Sequence, residues 1–332
     1  MMELMRSDSL LTNWVPYQLF RSDEEEEWML HWMDLEDRLM REPFFDETIS
    51  ICRFRRRDKK RLPSVSSPEF LLEAAAEIPH AELSAFVFHV SRCGSTLLSQ
   101  AFGEDDGNII IAEAPLLDQI LTASALTETE RKQWFMAAVK VLGQHRNSTA
   151  AGIAPAPEAF ATTQIIKLDS WHLHFYETLR SWYPDTPFFF LLRRPDEVLA
   201  SHGKQPGIHT VPGMLDKQML KIDPMKNYGG DFRQFAADVL KGFYEQAYLI
   251  QQLQHPKNAF ADYGDGIPEM IDQFSSFANI QIKDRERIDN RLKYHSKSTQ
   301  TAFQKDRIPE AKYHYPDCME AYQQLKKTNE RL

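Results

Sequence analysis

The sequence has few cysteines, no apolar run long enough to cross a bilayer, and no excess of positive charge. Its three cysteines, Cys52, Cys93 and Cys318, are too widely spaced for a disulfide framework or a cysteine zinc site, which favours a reducing, cytoplasmic compartment. No stretch of about 18 apolar residues predicts a membrane-spanning helix. The opening residues, MMELMRSDSLLTNW, lack the basic-then-apolar order of a secretory signal. We therefore expect no membrane span.

The charge balance limits the kinds of molecule that the protein is expected to bind. The net charge of −9 argues against bulk attraction to nucleic acid, so a nucleic-acid partner is not expected. Any bound anion must be held by a local arrangement of donors. Hydrophobic residues at 42% and charged residues at 26% are typical of soluble globular proteins, and 332 residues suffice for one large domain or two ordinary ones.

The first 80 residues predict an N-terminal extension, mainly helical, that packs on the core. Tryptophans and leucines at helical spacing predict an amphipathic helix over 25–40. Loose alternation predicts a strand or an extended arm over 48–56. The basic run RFRRRDKKR at 53–61 fits a solvated face, or alternatively a basic flap near an anionic ligand. Pro68, after two serines, predicts the start of a helix.

Residues 81–332 predict one α/β domain. Short apolar runs alternate with helical patterns, and strands that are buried on both faces and joined by helices form a parallel sheet covered on each side. We therefore predict a three-layer fold with a central, mostly parallel sheet. The predicted strands are AFVFHV (85–90), NIIIA (108–112), TQIIKL (163–168), PFFFLL (187–192) and NAFADY (258–263).

The segment FVFHVSRCGST, which ends at Thr96, has the outline of a phosphate-binding loop. In the usual pattern, G-x-x-x-x-G-K-[ST], the second glycine is followed by a lysine that reaches the β- and γ-phosphates. Here Gly94 is followed by Ser95, while Arg92 brings a positive charge from a different place. Because the lysine is missing, ATP or GTP hydrolysis is not favoured. The loop predicts an anion site; the alternative is an ordinary turn with an exposed arginine.

A second anion site is predicted at another strand end. The run PFFFLL ends in Arg193 and Arg194, and PDEVLASH follows as a helix that contains Ser201. Ligands of open α/β sheets lie at the carboxyl ends of the strands. A kinase or nucleotide hydrolase needs an acidic residue at such a place to hold magnesium, whereas a guanidinium repels a metal. This pattern favours a second bound anion over a surface arginine pair.

The two motifs together resemble those of the sulfotransferases. SRCGSTLLS resembles their 5′-phosphosulfate loop, and FLLRRPDEVLASH resembles their 3′-phosphate motif. The resemblance covers about residues 84–300, with roughly 100 residues between the motifs as the family has. It implies a P-loop-type fold and 3′-phosphoadenosine 5′-phosphosulfate as co-substrate, with no metal required.

The resemblance also implies site residues. Arg92 would lie near the transferring sulfuryl group and the bridging oxygen, which gives it a catalytic as well as a binding role. Ser296 and Lys297 match a late basic loop that covers the donor in the family. The implied donor-binding residues are Arg92, Cys93, Gly94, Ser95, Thr96, Arg193, Ser201, Ser296 and Lys297.

The general base has two candidate positions. Sulfuryl transfer needs an acceptor hydroxyl or amine to lose a proton as it attacks sulfur. Glu113 ends the strand IIIAE, as a carboxylate at a sheet tip, and the alternative is an ordinary acid before a helix. Asp169 and His172 form the second cluster, next to Lys167 at the end of the third strand. In the family a catalytic histidine follows that strand directly, whereas His172 is displaced by several residues.

Three classes of function stay open on the sequence. The leading one is sulfuryl transfer to a hydroxyl or amine of a small-molecule or carrier-bound acceptor. The second is a divergent P-loop kinase with Glu113 or Asp169 as a magnesium ligand, and the third is a non-catalytic nucleotide-binding protein. His202 and His209 lie in a glycine-proline loop that frames the acceptor or is simply structural. The oligomeric state is not predicted.

Overall fold

The computed structural model describes residues 11–22, 26–58, 64–145, 161–295, 298–302 and 311–329. Within these ranges the strands are β1 (Trp14–Arg21), β2 (Trp28–Asp34), β3 (Ser64–Ser66), β4 (Glu82–His89), β5 (Asn108–Ala112), β6 (Thr163–Lys167), β7 (Phe188–Leu192), β8 (Asn258–Asp262), β9 (Tyr294–His295) and β10 (Ser298–Ala302). The helices are α1 (Phe45–Asp58), α2 (Pro68–Glu77), α3 (Ser95–Phe102), α4 (Pro115–Thr122), α5 (Glu128–Leu142), α6 (Tyr176–Trp182), α7 (Pro195–Lys204), α8 (Phe232–Gln252), α9 (Ile267–Ala278), α10 (Arg285–Leu292) and α11 (Pro316–Asn329).

The strands form three sheets in the described part of the chain. The central sheet has five parallel strands in the order β5-β6-β4-β7-β8, and helices flank it. A three-stranded antiparallel sheet has the order β1-β2-β3, and β9 pairs with β10. The predicted α/β fold with a central parallel sheet is therefore confirmed.

The five predicted strands of the central sheet are all present, with ends within a few residues of those predicted. Their apolar composition has a direct cause in burial. All five residues of β7 are buried, as expected for a strand covered on both faces. The rings of Phe88 and Phe190 stack with centroids 4.8 Å apart, and Phe190 stacks on Phe260 at 4.6 Å. These stacked rings link β4, β7 and β8.

The chain divides into two compact units, and the first comprises the described parts of Met1–Leu83 and Phe102–Ile166. Here the β1–β2 hairpin is tied to the helices by glutamine side chains. Leu19 N donates to Gln119 Oε1 at 2.7 Å, and Gln144 Nε2 donates to Trp14 O at 2.6 Å. Helix α5 begins with a capping box, because the side chains and backbone amides of Thr127 and Glu130 bond each other reciprocally.

The second unit comprises the described parts of Ser84–Ala101 and Lys167–Leu332. Its longest helix, α8, packs against α11. Tyr322 on α11 donates to Asp262 Oδ2 at 2.7 Å, which ties this helix to the end of β8. No helix in the described ranges is both long and apolar enough to cross a bilayer.

Two predictions for the N-terminal extension are wrong. The helix predicted over 25–40 is replaced by β2, the central strand of the antiparallel sheet. Trp28 and Trp32 are four residues apart, a spacing that places them on one face of a strand as well as of a helix. The strand predicted over 48–56 is part of α1, whose buried residues follow helical spacing from Phe45 onward. The extension thus combines a three-stranded sheet with two helices.

Candidate functional site

The loop between β4 and α3 has the backbone of an anion site. Ser91, Arg92 and Gly94 have φ angles of 73°, 49° and 85°, in the left-handed region that non-glycine residues rarely adopt. Such strain is concentrated at functional sites. Helix α3 begins at Ser95, so its first N–H groups lack acceptors inside the helix and point toward the loop. This arrangement favours a bound phosphate or sulfate.

His89 takes the place of the first glycine of a phosphate loop and holds the loop's first turn. Its ring is buried, and Nδ1 accepts a hydrogen bond from Ser91 N at 3.1 Å. The hydroxyl of Ser170 also lies 3.1 Å from this nitrogen. A side chain thereby fixes the left-handed backbone at Ser91, which the sequence pattern alone did not indicate.

Gly94 lies against Tyr263, the residue that follows β8. A Cβ atom at Gly94 would lie 2.8 Å from Tyr263 Cδ2, so the close approach as well as the positive φ requires glycine. Tyr263 was not among the predicted site residues. Tyrosine is common at strand ends, and no sequence pattern distinguishes this one.

Gly94→Ala is expected to lower the free energy of unfolding by about 1–3 kcal/mol, the usual range for a residue forced into a sparsely populated backbone region. The clash with Tyr263 adds to this loss. Thermal unfolding of the variant measures the effect. Gly213→Ala is the matched control, because Gly213 has φ +84° with nothing within 4 Å of its Cβ position. Equal destabilisation by both variants would show that the contact with Tyr263 is unimportant.

Lys167 supplies an ammonium group to the loop from the end of β6. Its side chain is 0% exposed, and Nζ donates to Thr96 Oγ1 at 3.1 Å. A buried ammonium at this place would attract an anion bound at the loop. The loop has no lysine after Gly94, but Lys167 brings an ammonium group to it from β6, about 70 residues later in the chain.

Arg92 is anchored by the segment that follows α7. Its Nη2 donates to the backbone carbonyl of Gln205 at 2.6 Å. That segment is shaped in turn by His202, whose Nδ1 accepts a hydrogen bond from Gly207 N at 3.1 Å. His202 and His209 are both buried, with ring centroids 5.1 Å apart. These two histidines therefore help to shape the loop that holds Arg92.

Arg193 joins the two predicted motifs. The residue is 7% exposed, and its Nη1 donates to the backbone carbonyl of Arg92 at 2.9 Å. Its guanidinium also lies over the ring of Tyr263, with Cζ 4.4 Å from the ring centroid. The hydroxyl of Tyr244 donates to the backbone carbonyl of Arg193. The same side chain thus lies beside the predicted anion-binding loop and at the start of the second motif.

Glu197 is an acidic residue of the second motif, in the first turn of α7. Its Oε2 accepts from Arg193 Nε at 2.8 Å. It lies on α7 one turn before Ser201, which is partly buried. Residues four apart share a helix face, so this carboxylate lies between the predicted phosphate-binding arginine and serine. A phosphate at this place must compete with Glu197 for Arg193.

Cys93 is buried, and burial raises the pKa of its thiol to about 12. It is therefore a neutral thiol at physiological pH, not a thiolate nucleophile. Its predicted part in donor binding rests on its backbone N–H. All three cysteines are free and buried.

Asp169 and His172 bond each other at the start of a short 3₁₀ helix, Ser170–Phe175. Asp169 N donates to His172 Nδ1 at 3.3 Å, and His172 N donates to Asp169 O at 3.0 Å. This bond gives His172 a part in shaping the 3₁₀ helix. The catalytic roles of Asp169 and His172 stay predictions.

Glu113 belongs to the first unit and follows the carboxyl end of β5. Its φ of 52° is left-handed, an uncommon conformation for glutamate, and its side chain is partly buried. Ala114 is the N-cap of α4, so Glu113 precedes the cap instead of occupying the first turn. Its proposed role as the base stays a prediction. Ser296 and Lys297 lie outside the described residues.

No protein-family model matches this chain, and no curated protein matches it by sequence. Among solved structures, it is similar to the sulfotransferase domain of the olefin synthase from Synechococcus PCC 7002. The two are 13% identical, the similarity covers 75% of this chain and 89% of that chain, and the TM-score is 0.40. At this level the likeness does not establish a shared function.

Proposed function

We propose that the chain transfers a sulfuryl group from 3′-phosphoadenosine 5′-phosphosulfate to a hydroxyl or amine of a small-molecule or carrier-bound acceptor. The observation that carries this proposal is the hydrogen bond from Arg193 to the backbone carbonyl of Arg92. It joins a loop suited to one anion with a guanidinium that could hold a second. A nucleotide with phosphates on both its 5′ and 3′ positions offers two anions at such separate places.

The first anion site has the groups that phosphosulfate chemistry requires. The N–H groups of Ser95 and Thr96 at the start of α3 would hold the 5′-phosphate. Lys167 is placed beside Thr96 and would neutralise the phosphate charge. Arg92, held by Gln205 O, would stabilise the negative charge that grows on the bridging oxygen as sulfur departs.

The charges of the loop support binding without magnesium. SRCGST contains no carboxylate, and the residue at the end of β6 is a lysine. A cation at that place repels a divalent metal and attracts the anionic donor directly. The proposed reaction therefore needs no metal, because Arg92 and Lys167 supply the positive charge.

The base in this proposal is a carboxylate, Glu113 or Asp169. Asp169 follows Lys167 by two residues in the same unit, whereas Glu113 follows a different strand end. Either group would take the proton of the acceptor as it attacks sulfur on the side opposite the bridging oxygen.

Glu197→Gln is expected to tighten the binding of adenosine 3′,5′-bisphosphate about tenfold, or ~1.4 kcal/mol. The change removes a negative charge that repels a 3′-phosphate, and it keeps an acceptor for Arg193 Nε. Calorimetry measures the affinity, and AMP, which lacks the 3′-phosphate, should show no gain. Glu245→Gln removes a carboxylate paired with Lys241 on α8 and controls for net charge. Weaker bisphosphate binding would mean that Glu197 positions Arg193 instead of competing for it.

The proposed activity is tested with ³⁵S-labelled donor and fractionated small-molecule extracts, with EDTA present throughout. The expected result is label in a new product, with adenosine 3′,5′-bisphosphate released in equal amount. A parallel reaction with [γ-³²P]ATP and magnesium tests the kinase alternative. Transfer of ³²P without transfer of ³⁵S would contradict the proposal.

A further inference from the structure

Helix α1 of the first unit has an outer face that carries an exposed aromatic ring. Its inner face buries Phe45, Ile49 and Cys52 at helical spacing. Phe54 lies on the other side of the helix and is 67% exposed. Isolated exposed apolar side chains are ordinary at a protein surface, so this ring indicates an interface only together with the surface beside it.

A groove lies beside the same helix, about one turn before Phe54. It is shallow and open, with a volume of about 430 Å³. Its lining residues are Glu42, Asp46, Glu47, Ser50 and Ile51. Since Glu47, Ile51 and Phe54 are four and three residues apart, the groove and the ring share one face of α1.

The groove and the Phe54 ring follow one another along α1, so two copies of this helix can fit one another. Residues three to four apart on a helix are separated by roughly 5 Å along its axis. If a second α1 packs antiparallel about a two-fold axis at Ile51, its Phe54 lies opposite the groove of the first helix. The same operation places the first Phe54 opposite the second groove. The surface is therefore self-complementary, as a two-fold symmetric interface requires.

The charges on the helix favour the antiparallel arrangement. Asp46 and Glu47 lie in the first turn, whereas the second half carries arginines, of which Arg55 has a side chain that is 48% exposed. About a two-fold axis at Ile51, Glu47 of one copy faces Arg55 of the other, twice. A parallel arrangement would bring like charges together, which costs free energy.

We propose that α1 forms a two-fold symmetric, antiparallel contact with α1 of a second copy of this chain, in which Phe54 of each copy fills the groove of the other. The contact involves one helix from each side, so it belongs to the small interfaces that form weak dimers. It does not depend on the proposed activity.

The full chain is tested by sedimentation velocity at concentrations from about 1 to 200 μM, the range in which weak dimers of small interface area dissociate. The wild-type protein should show a concentration-dependent monomer–dimer equilibrium. Phe54→Ser should raise the dissociation constant at least about tenfold, because it removes the central anchor. Phe232→Ser is the matched control, since Phe232 is 58% exposed in the other unit, and it should leave the equilibrium unchanged.

Charge exchange provides a second test of the geometry. Glu47→Arg places arginine opposite Arg55, and Arg55→Glu places glutamate opposite Glu47, so each change alone should weaken the dimer about tenfold or more. The double variant restores opposite charges and should recover most of the wild-type affinity. A monomeric wild-type protein would overturn the proposal. So would single variants that dimerise normally, or a double variant as weak as either single one.

Discussion

Lys167→Met is expected to reduce turnover by about 10²–10³-fold, the usual effect of removing one preorganised group that stabilises developing negative charge. The same variant is expected to fold, because methionine fills nearly the same volume as the lysine side chain. Lys167 is fully buried, and its Nζ donates to Thr96 Oγ1. Loss of activity without loss of stability would show that the charge serves the ligand.

Turnover at saturating donor and a thermal unfolding curve together check this prediction. Arg291→Met is the matched control, because Arg291 is also buried and bonds Gln100 at 3.2 Å instead of the loop. It should leave turnover within about twofold of wild type, since it removes no group near the reacting atoms. A Lys167→Met protein that is active but strongly destabilised would assign the lysine to the fold alone.

The second large effect is expected at the base. Glu113→Gln and Asp169→Asn each keep size and hydrogen bonding but lose the ability to take a proton. The variant that removes the base should lose about 100-fold or more in turnover while donor affinity stays unchanged. The sequence favours Glu113. Asp169 is the alternative, because the other candidate of its cluster, His172, already accepts a hydrogen bond at Nδ1 from Asp169 N.

Comparison of the two variants identifies the base. The pH profile of the variant that retains activity should keep the acidic limb of the wild-type profile, because its base is intact. His172→Gln should reduce turnover less than the critical carboxylate change, since Nδ1 already accepts a hydrogen bond. If both carboxylate variants keep full activity, the base lies elsewhere and both assignments are wrong.

The central sheet could be predicted because its strands are short, apolar and buried on both faces. PFFFLL is the clearest example, since every residue of β7 is buried. The N-terminal extension could not be predicted in the same way. Trp28 and Trp32 fit a strand and a helix equally, and pairing with β1 and β3 decides between them. Tertiary pairing of this kind overrides local pattern.

The sequence indicates those parts of the candidate site that are contiguous in the chain, and not those that are assembled in space. Arg92, Gly94 and Thr96 lie within five residues of one another in the chain. Lys167 and Tyr263 reach the same loop from other strands. Their approach depends on strand order, which a single sequence does not state.

The most direct test of the central claim is calorimetric titration of the protein with adenosine 3′,5′-bisphosphate and with AMP, each with EDTA and then with magnesium. The bisphosphate should bind about 10–100-fold tighter than AMP, the difference that charge-assisted hydrogen bonds to a second phosphate would make. Magnesium should not change either affinity. Equal affinities for the two ligands, or binding that appears only with magnesium, would contradict a metal-independent site for two phosphates.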